Sequence, residues 1–336
     1  MKKNITIIAS IFVVLILAGC STKREYFKPT DIAEKINYNE TLSSSINYTT
    51  KSGATLKNGD IISKNSVISG LNLDKRDNFI GEFNGKLIVA NLDGNLKIIE
   101  GKDVIYTKKF QGAIVSASLQ DGYLAALSSE NTIYLIDINS DTTMLEYKTG
   151  DSFAQDSRTA NPVFLTSLII YPTLDGKIMI VDKQNARIIR DAVVSSDPFF
   201  NNVIFLDVLS DKMFAATATK LIMISPNGTK YYNGQIKDVI AYENKIYILL
   251  KDGNIEITDL DLQPIAKKEF KFAIFSNVIA KGDYLYIFEK TGYLIKTDLN
   301  LNNSKIIELN NEIEDKSFAG KDAFYYDNKV LKLDKI

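Results

Sequence analysis

Three aspartates in polar stretches between apolar runs, Asp151, Asp156 and Asp197, are the side chains of this sequence best suited to acid–base chemistry. Paired carboxylates can divide the general-acid and general-base roles without help from imidazole. Little other catalytic chemistry is available. The 336 residues contain no His and a single Cys, so Ser-His or Cys-His nucleophile pairs and zinc sites of the Cys/His type cannot be built. A carboxylate-based hydrolase or lyase is the enzymatic alternative. The main reading is a non-enzyme with no catalytic residue, no metal and no cofactor. Forty Lys and Arg against 41 Asp and Glu give a net charge of -1 with no basic block, which argues against nucleic acid as a partner.

The lone cysteine has another use. Lys2 and Lys3 precede an uncharged run over residues 5–17, and the run ends Leu17-Ala18-Gly19-Cys20. This is the layout of an export signal, too short for a membrane span. Its end resembles the bacterial lipobox, in which the cysteine is acylated and becomes the first residue of the mature protein. The resemblance implies a lipid on Cys20 and anchoring in a membrane. Ser21 after the cysteine implies the outer membrane, with the protein facing the periplasm. Loss of residues 1–20 removes two Lys and no acid, leaving 38 basic and 41 acidic residues, a net charge of -3. No thiol then remains for a disulfide, so stability must come from packing. Residues 21–47 are polar, with Pro29 and Ser43-Ser44-Ser45, and are expected to form a flexible tether. A short helix over residues 31–36, capped by Thr30, fits that stretch.

The elements that must position any functional group follow from a repeat. An apolar, often β-branched run, a two-residue turn signal and a second alternating run recur along the chain. Examples are Lys86-Leu87-Ile88-Val89-Ala90 before Asp93-Gly94, Leu168-Ile169-Ile170-Tyr171 before Asp175-Gly176, and Ile246-Tyr247-Ile248-Leu249 before Asp252-Gly253. Asp-Gly between such runs signals a hairpin in which both turn residues take φ > 0. Taking Leu87, Leu124, Leu168, Met213, Ile246, Leu285 and Phe324 as equivalent, the spacings are 37, 44, 45, 33, 39 and 39 residues, with a mean of 39.5.

Four strands per period of about 40 residues is the mark of a β-propeller blade, since radial stacking lets each blade cover its neighbour's faces. The expected fold is therefore all-β, a single propeller over residues 48–336. Seven hairpins at 39.5 residues need about 277 residues and eight need 316, so seven blades fit the 287 residues from 50 to 336, and eight is the other count. Residues 48–73, with Asn58-Gly59, then supply a closing outer strand or part of an eighth blade. Asp137, Asp182, Asp259, Asp298 and Asp334 each follow the third strand of a blade and read as Asx-type turn formers. One acid per blade on separated turns does not make a calcium site.

The phrase Tyr134-Leu135-Ile136-Asp137-Ile138-Asn139-Ser140, followed by Met144-Leu145-Glu146-Tyr147, is similar to the repeat of the quinoprotein (PQQ-like) propellers. Tyr147 stands where that repeat carries Trp. The chain has no Trp and lacks the vicinal cysteines of the quinoprotein dehydrogenases, which sets it apart from PQQ enzymes. A lipobox followed by one such propeller resembles the BamB-type outer-membrane assembly lipoproteins. The resemblance implies a monomeric, non-enzymatic scaffold that meets the POTRA domains of a BamA-type insertase through loops beside two adjacent blades. The matching stretches here are Asp151-Ser152-Phe153-Ala154-Gln155-Asp156-Ser157, with Arg158 beyond it, and Ser195-Ser196-Asp197-Pro198-Phe199-Phe200.

The residues themselves point to the same two linkers, because the widest spacings place their extra length there. Phe153, Phe199 and Phe200 stand among polar or turn-forming neighbours, where an aromatic either tucks under its own loop or anchors a partner. The candidate partner-binding residues are Phe153, Asp156, Arg158, Asp197, Phe199 and Phe200. A surface-exposed adhesin is the third functional reading.

Overall fold

The structure is a computed structural model and describes residues 25–152 and 157–336. The alternating runs form eight antiparallel sheets, each with one hairpin-connected meander. Blade 1 spans residues 46–68, blade 2 78–109, blade 3 114–148, blade 4 163–193, blade 5 205–233, blade 6 236–269, blade 7 275–309 and blade 8 317–332. The first strand of each blade contacts the first strand of the next, and the series closes from blade 8 back to blade 1. These inner strands surround an axial channel.

The blade count corrects the expectation of seven. Eight apolar clusters fill the eight interfaces between successive blades, including one between blades 8 and 1 and one between blades 1 and 2. The mean spacing misled because it was measured on long inner blades. Blade 1 occupies only residues 46–68 and blade 8 only residues 317–332 of the C-terminal chain. Asn58-Gly59 forms the central hairpin of blade 1, with Gly59 at φ 90°.

The outer strand of blade 8 comes from the other end of the chain. Strand β2 (Glu40–Thr41) pairs antiparallel with Lys329–Lys332 and closes the ring. Just before it, strand β1 (Glu34–Ile36) adds in parallel to the outer edge of blade 7, with Glu34 opposite Ile307 and Ile36 opposite Leu309. The described part of the stretch expected to be a flexible tether is thus extended and bound to the propeller, and the expected helix over residues 31–36 is absent, with strand β1 in its last three residues. Phe27 is buried between blades 6 and 7, edge-on to Phe270 at 6.5 Å and to Tyr293 at 5.6 Å. A strand can be held this way only by a partner far along the chain, so no local pattern reveals it.

Aromatic residues fill the spaces between blades. Phe288 of blade 7 stacks on Phe324 of blade 8 with ring centroids 3.7 Å apart. Buried tyrosines also tie blades by hydrogen bonds: the Tyr171 hydroxyl donates to the Tyr134 carbonyl at 2.9 Å, and that of Tyr247 to the Leu299 carbonyl at 3.1 Å. Each combines a large apolar area with a satisfied polar tip.

Turn chemistry follows the sequence with one change. In the Asp-Gly hairpins only the glycine takes positive φ: Gly94 at 84°, Gly176 at 81° and Gly253 at 89°. The Gly94 N–H bonds to the Asn91 carbonyl, and Asn91 bonds to Asn95, so the loop is a three-residue turn ending in a left-handed glycine, not a two-residue one. Asp137, Asp182, Asp259 and Asp298 accept backbone N–H bonds from residues two positions on, at 2.8–3.0 Å. Asp334 lies instead in the C-terminal 3-10 turn Leu333–Lys335.

Candidate functional site

Two regions concentrate groups that a partner could meet: the linkers between blades 3, 4 and 5, and the channel they border. The linker from blade 4 to blade 5 is strapped down at its base. Val194 and Ser195 both donate their N–H to the Gly176 carbonyl, and the Asn201 amide donates to the carbonyls of Asp175 (3.0 Å) and Ser195 (2.9 Å). A side chain at residue 176 would collide with Asn201, because a Cβ built there lies 2.2 Å from Nδ2. Asn202 donates to the Thr159 hydroxyl at 3.1 Å, which links this base to the preceding linker.

Above that base the tip faces water. Phe199 is 61% exposed and Phe200 57%, with Phe200 in the left-handed region at φ 52°. Asp197 shapes the turn by accepting hydrogen bonds from the hydroxyls of Thr219 and Ser195, and these hold its carboxyl below the usual range. Thr219 directly precedes the third strand of blade 5, so the aromatic tip is tied to that blade. Leaving two Phe rings in water forgoes about 1.5–3 kcal/mol each of burial. A pinned loop also loses little entropy on docking.

The linker from blade 3 to blade 4 divides the other predicted residues. Phe153 and Asp156 lie outside the described residues. Asp151 is exposed and paired with Lys148 at 3.1 Å. Asn131 bonds the linker to the blade 4 turn, donating to the Gly150 carbonyl at 3.2 Å and to Asp175 at 2.9 Å. Arg158 is not on the loop surface with Phe199. It reaches into the channel, where it donates to the Lys237 carbonyl and its charge favours ionised Asp238.

The channel encloses about 520 Å³ and mixes charges of both signs. Lys51, on the turn between the first two strands of blade 1, bonds to Asp238 of blade 6 at 2.7 Å. Beside it, Asn161 at the start of blade 4 donates to the Ser52 hydroxyl at 2.7 Å, so the short blade 1 hairpin extends across the axis. Burial alone would raise the Asp238 carboxyl, but Lys51 and Arg158 hold it low. Desolvation pushes the Asp207 carboxyl up. Lys64 is open to channel water yet ringed by protein, and burial together with the nearby Lys51 charge lowers its ammonium to about 8. It donates to the Ala319 carbonyl at 2.8 Å and lies 4.6 Å above the Phe318 ring. Asp151 and Asp197, the acids proposed for carboxylate chemistry, do not line this channel.

Of the linker residues singled out from the sequence, Phe199 and Phe200 are exposed, and the channel set was not among those residues. Lys51, Lys64 and Asp238 carry no local signature, since their meeting depends on ring closure. Among the described residues, no group of three or more Asp, Glu, Cys or His could hold a metal ion, and no helix is long and apolar enough to cross a membrane.

Fold and linker face define an eight-bladed β-propeller of four-stranded blades that presents a pinned aromatic loop. No protein-family model matches the chain. In sequence it is similar to the plasminogen-binding protein PgbB of two Helicobacter pylori strains: 27% identical for strain J99, over 95% of this chain and 70% of that protein, and 26% for strain 26695, over 95% and 69%. In fold it is similar to BamB from Moraxella catarrhalis, with a TM-score of 0.66 at 14% identity over 85% of this chain and 96% of that one. The C-terminal WD40 domain of Sif2 gives a TM-score of 0.64 at 11% identity, over 88% and 99%.

Proposed function

We propose that this protein is a cell-envelope propeller that binds a protein partner through its linker face, and that the partner is plasminogen or a protein of that kind. The observation that carries the reading is the pinned 194–204 linker with Phe199 and Phe200 exposed at its tip. Aromatic anchors on a preorganised loop are the usual source of interface energy. The choice of partner follows the sequence similarity to PgbB, which extends over 95% of the chain. In this reading Cys20 carries the lipid anchor, and Asp197 fixes the presentation of the loop. Phe153 and Asp156 of the preceding linker are further candidate contacts in this reading. The test is binding of the purified chain from residue 21 to immobilised plasminogen, before and after Phe199→Ala and Phe200→Ala. Binding that both substitutions leave unchanged removes the loop from the reading, and no binding at all removes plasminogen.

A second reading, an outer-membrane assembly scaffold, is supported by the lipobox and by the BamB-like fold at a TM-score of 0.66. It ranks lower because likeness at 14% identity concerns the fold alone. Crosslinking from Phe199 in cells separates the two, since only the second predicts capture of a barrel-insertase subunit. Protease sensitivity on intact cells reports which side of the membrane the propeller faces.

A further inference from the structure

We infer that the outer edge of blade 5, strand Gly228–Asn233, is a docking site for an extended segment of the protein partner, which adds to it in parallel as a fifth strand. The inference rests on the binding-platform reading above and names how the partner is held.

A strand edge left open is an aggregation hazard, and folded proteins blunt such edges with bulges, short strands or covering segments. Seven of the eight blades do so. The outer strands of blades 2, 3, 4 and 6 each carry a register shift against the third strand. The extra residue at the shift is Ile105, Met144, Ile189 or Ile265, and the three isoleucines are turned to solvent at 43%, 52% and 47% exposure. Blades 1 and 8 end in outer strands of only two residues, Val67–Ile68 and β2. Blade 7 has a regular outer strand, and β1 covers it.

Blade 5 alone keeps a regular, bare edge among the described strands. All six residues of Gly228–Asn233 pair in register with Lys220–Ser225, and no described strand pairs with their far side. Tyr231 is 59% exposed there. Lys230, the charge that would otherwise guard the edge, is turned to blade 6, with its ammonium 3.1 Å from the Asp261 carbonyl.

Blade 7 shows what such an edge accepts in this protein. Leu221 opposite Tyr232 matches Leu294 opposite Ile307, so Tyr231 and Asn233 occupy the places of Ile306 and Glu308. The Ile306 carbonyl takes the Ala33 N–H at 2.8 Å, and Lys35 pairs with Glu308 at 2.6 Å. In blade 5 the Gly234 N–H bonds inward to Thr219, so by the two-residue period of a strand the backbone groups of Tyr231 and Asn233 point outward and remain free to pair. Main-chain bonds of this kind give affinity, while the side chains beside them select the segment. The uncharged Asn233 at the place of Glu308 removes the demand for a Lys and leaves the Tyr231 ring to favour an apolar residue. Asp197 bonds to Thr219 at the same end of the blade, so a parallel segment leaving Asn233 runs onto the Phe199–Phe200 tip.

The test uses the chain from residue 21 and plasminogen as probe. Tyr231→Pro blocks an outward N–H without removing a ladder bond, and hydrogen exchange on the unaltered protein reads the same amides without any substitution. The expected result is binding at least tenfold weaker in Tyr231→Pro and slowed exchange at Tyr231 and Asn233 in the complex. Full binding by Tyr231→Pro, or no protection at those amides, overturns the edge site while the binding platform survives. Self-association that Tyr231→Pro abolishes assigns the edge to a second copy and overturns the partner segment. Failure of the unaltered protein to bind overturns the platform reading and this inference with it.

Discussion

Lys51 Nζ lies 2.7 Å from an Asp238 carboxylate oxygen, joining the first hairpin of blade 1 to the inner strand of blade 6 across the channel. The two residues are separated by 187 positions in sequence, so the bond exists only in the closed ring. Lys51→Met removes the cation bonded to Asp238 and leaves it the charges of Arg158 and Lys64. Removing one member of a fully buried pair costs about 3–5 kcal/mol and of an exposed pair under about 1. Both side chains here are partly open to channel water, so a loss of about 1–3 kcal/mol in urea unfolding is expected.

The pair also sets an acid limit. Asp238 is held below its unfolded value, so its contribution is present above the unfolded carboxylate pKa of about 3.9 and is lost as pH falls through the folded value. Stability measured from pH 6 down to 3 should therefore fall less steeply in Asp238→Asn than in the unaltered protein. Equal slopes would show that the carboxylate is not stabilised in the fold.

Lys64 acts in the opposite sense. Its folded pKa of about 8 is below the unfolded value of about 10.4, so between those two values the unfolded chain binds more protons and stability rises with pH. Lys64→Met should stabilise the protein at pH 7 and flatten that rise. An amine-acylating reagent at pH 8 should modify Lys64 ahead of the surface lysines, as read by peptide mass spectrometry.

Gly176→Ala should loosen the aromatic linker. The residue is at φ 81°, and a Cβ there would lie 2.4 Å from the Ser195 carbonyl and 2.2 Å from Asn201 Nδ2. Strain at such a position costs about 1–3 kcal/mol, so a lowered melting temperature and faster amide exchange at Val194 and Val203 are expected. Phe199→Ala and Phe200→Ala should leave the melting temperature unchanged, because both rings are already in water.

Phe27→Ala should free the N-terminal strap before it unfolds the ring. Truncating a buried Phe costs about 3–5 kcal/mol where the surroundings cannot collapse. Here the loss concerns the segment that carries β1 into blade 7. Exchange should quicken at the Ala33 amide, which bonds to the Ile306 carbonyl, and at the outward-facing Glu308 amide beside it, while the amides of blades 3 to 5 stay protected. Uniform acceleration through all blades would instead show that strap and ring unfold as one unit.

Local chemistry made much of the propeller readable. Alternation of period two exposes hairpins such as those at Gly94, Gly176 and Gly253, Asp137 and its counterparts hold their own turns, and Phe and Tyr supply the filling between blades. These features depend on residues a few positions apart. The number of blades did not follow, because blades 1 and 8 are short and blade 8 borrows β2 from the opposite end of the chain. Closure, the addition of β1 to blade 7, the Lys51–Asp238 bond and the placing of Arg158 in the channel depend on contacts between residues far apart in sequence. Exposure of Phe199 and Phe200, and of the blade 5 edge, was likewise settled by tertiary structure. An unpaired strand or an uncovered ring is defined by what the rest of the molecule fails to cover, and periodicity carries no record of that.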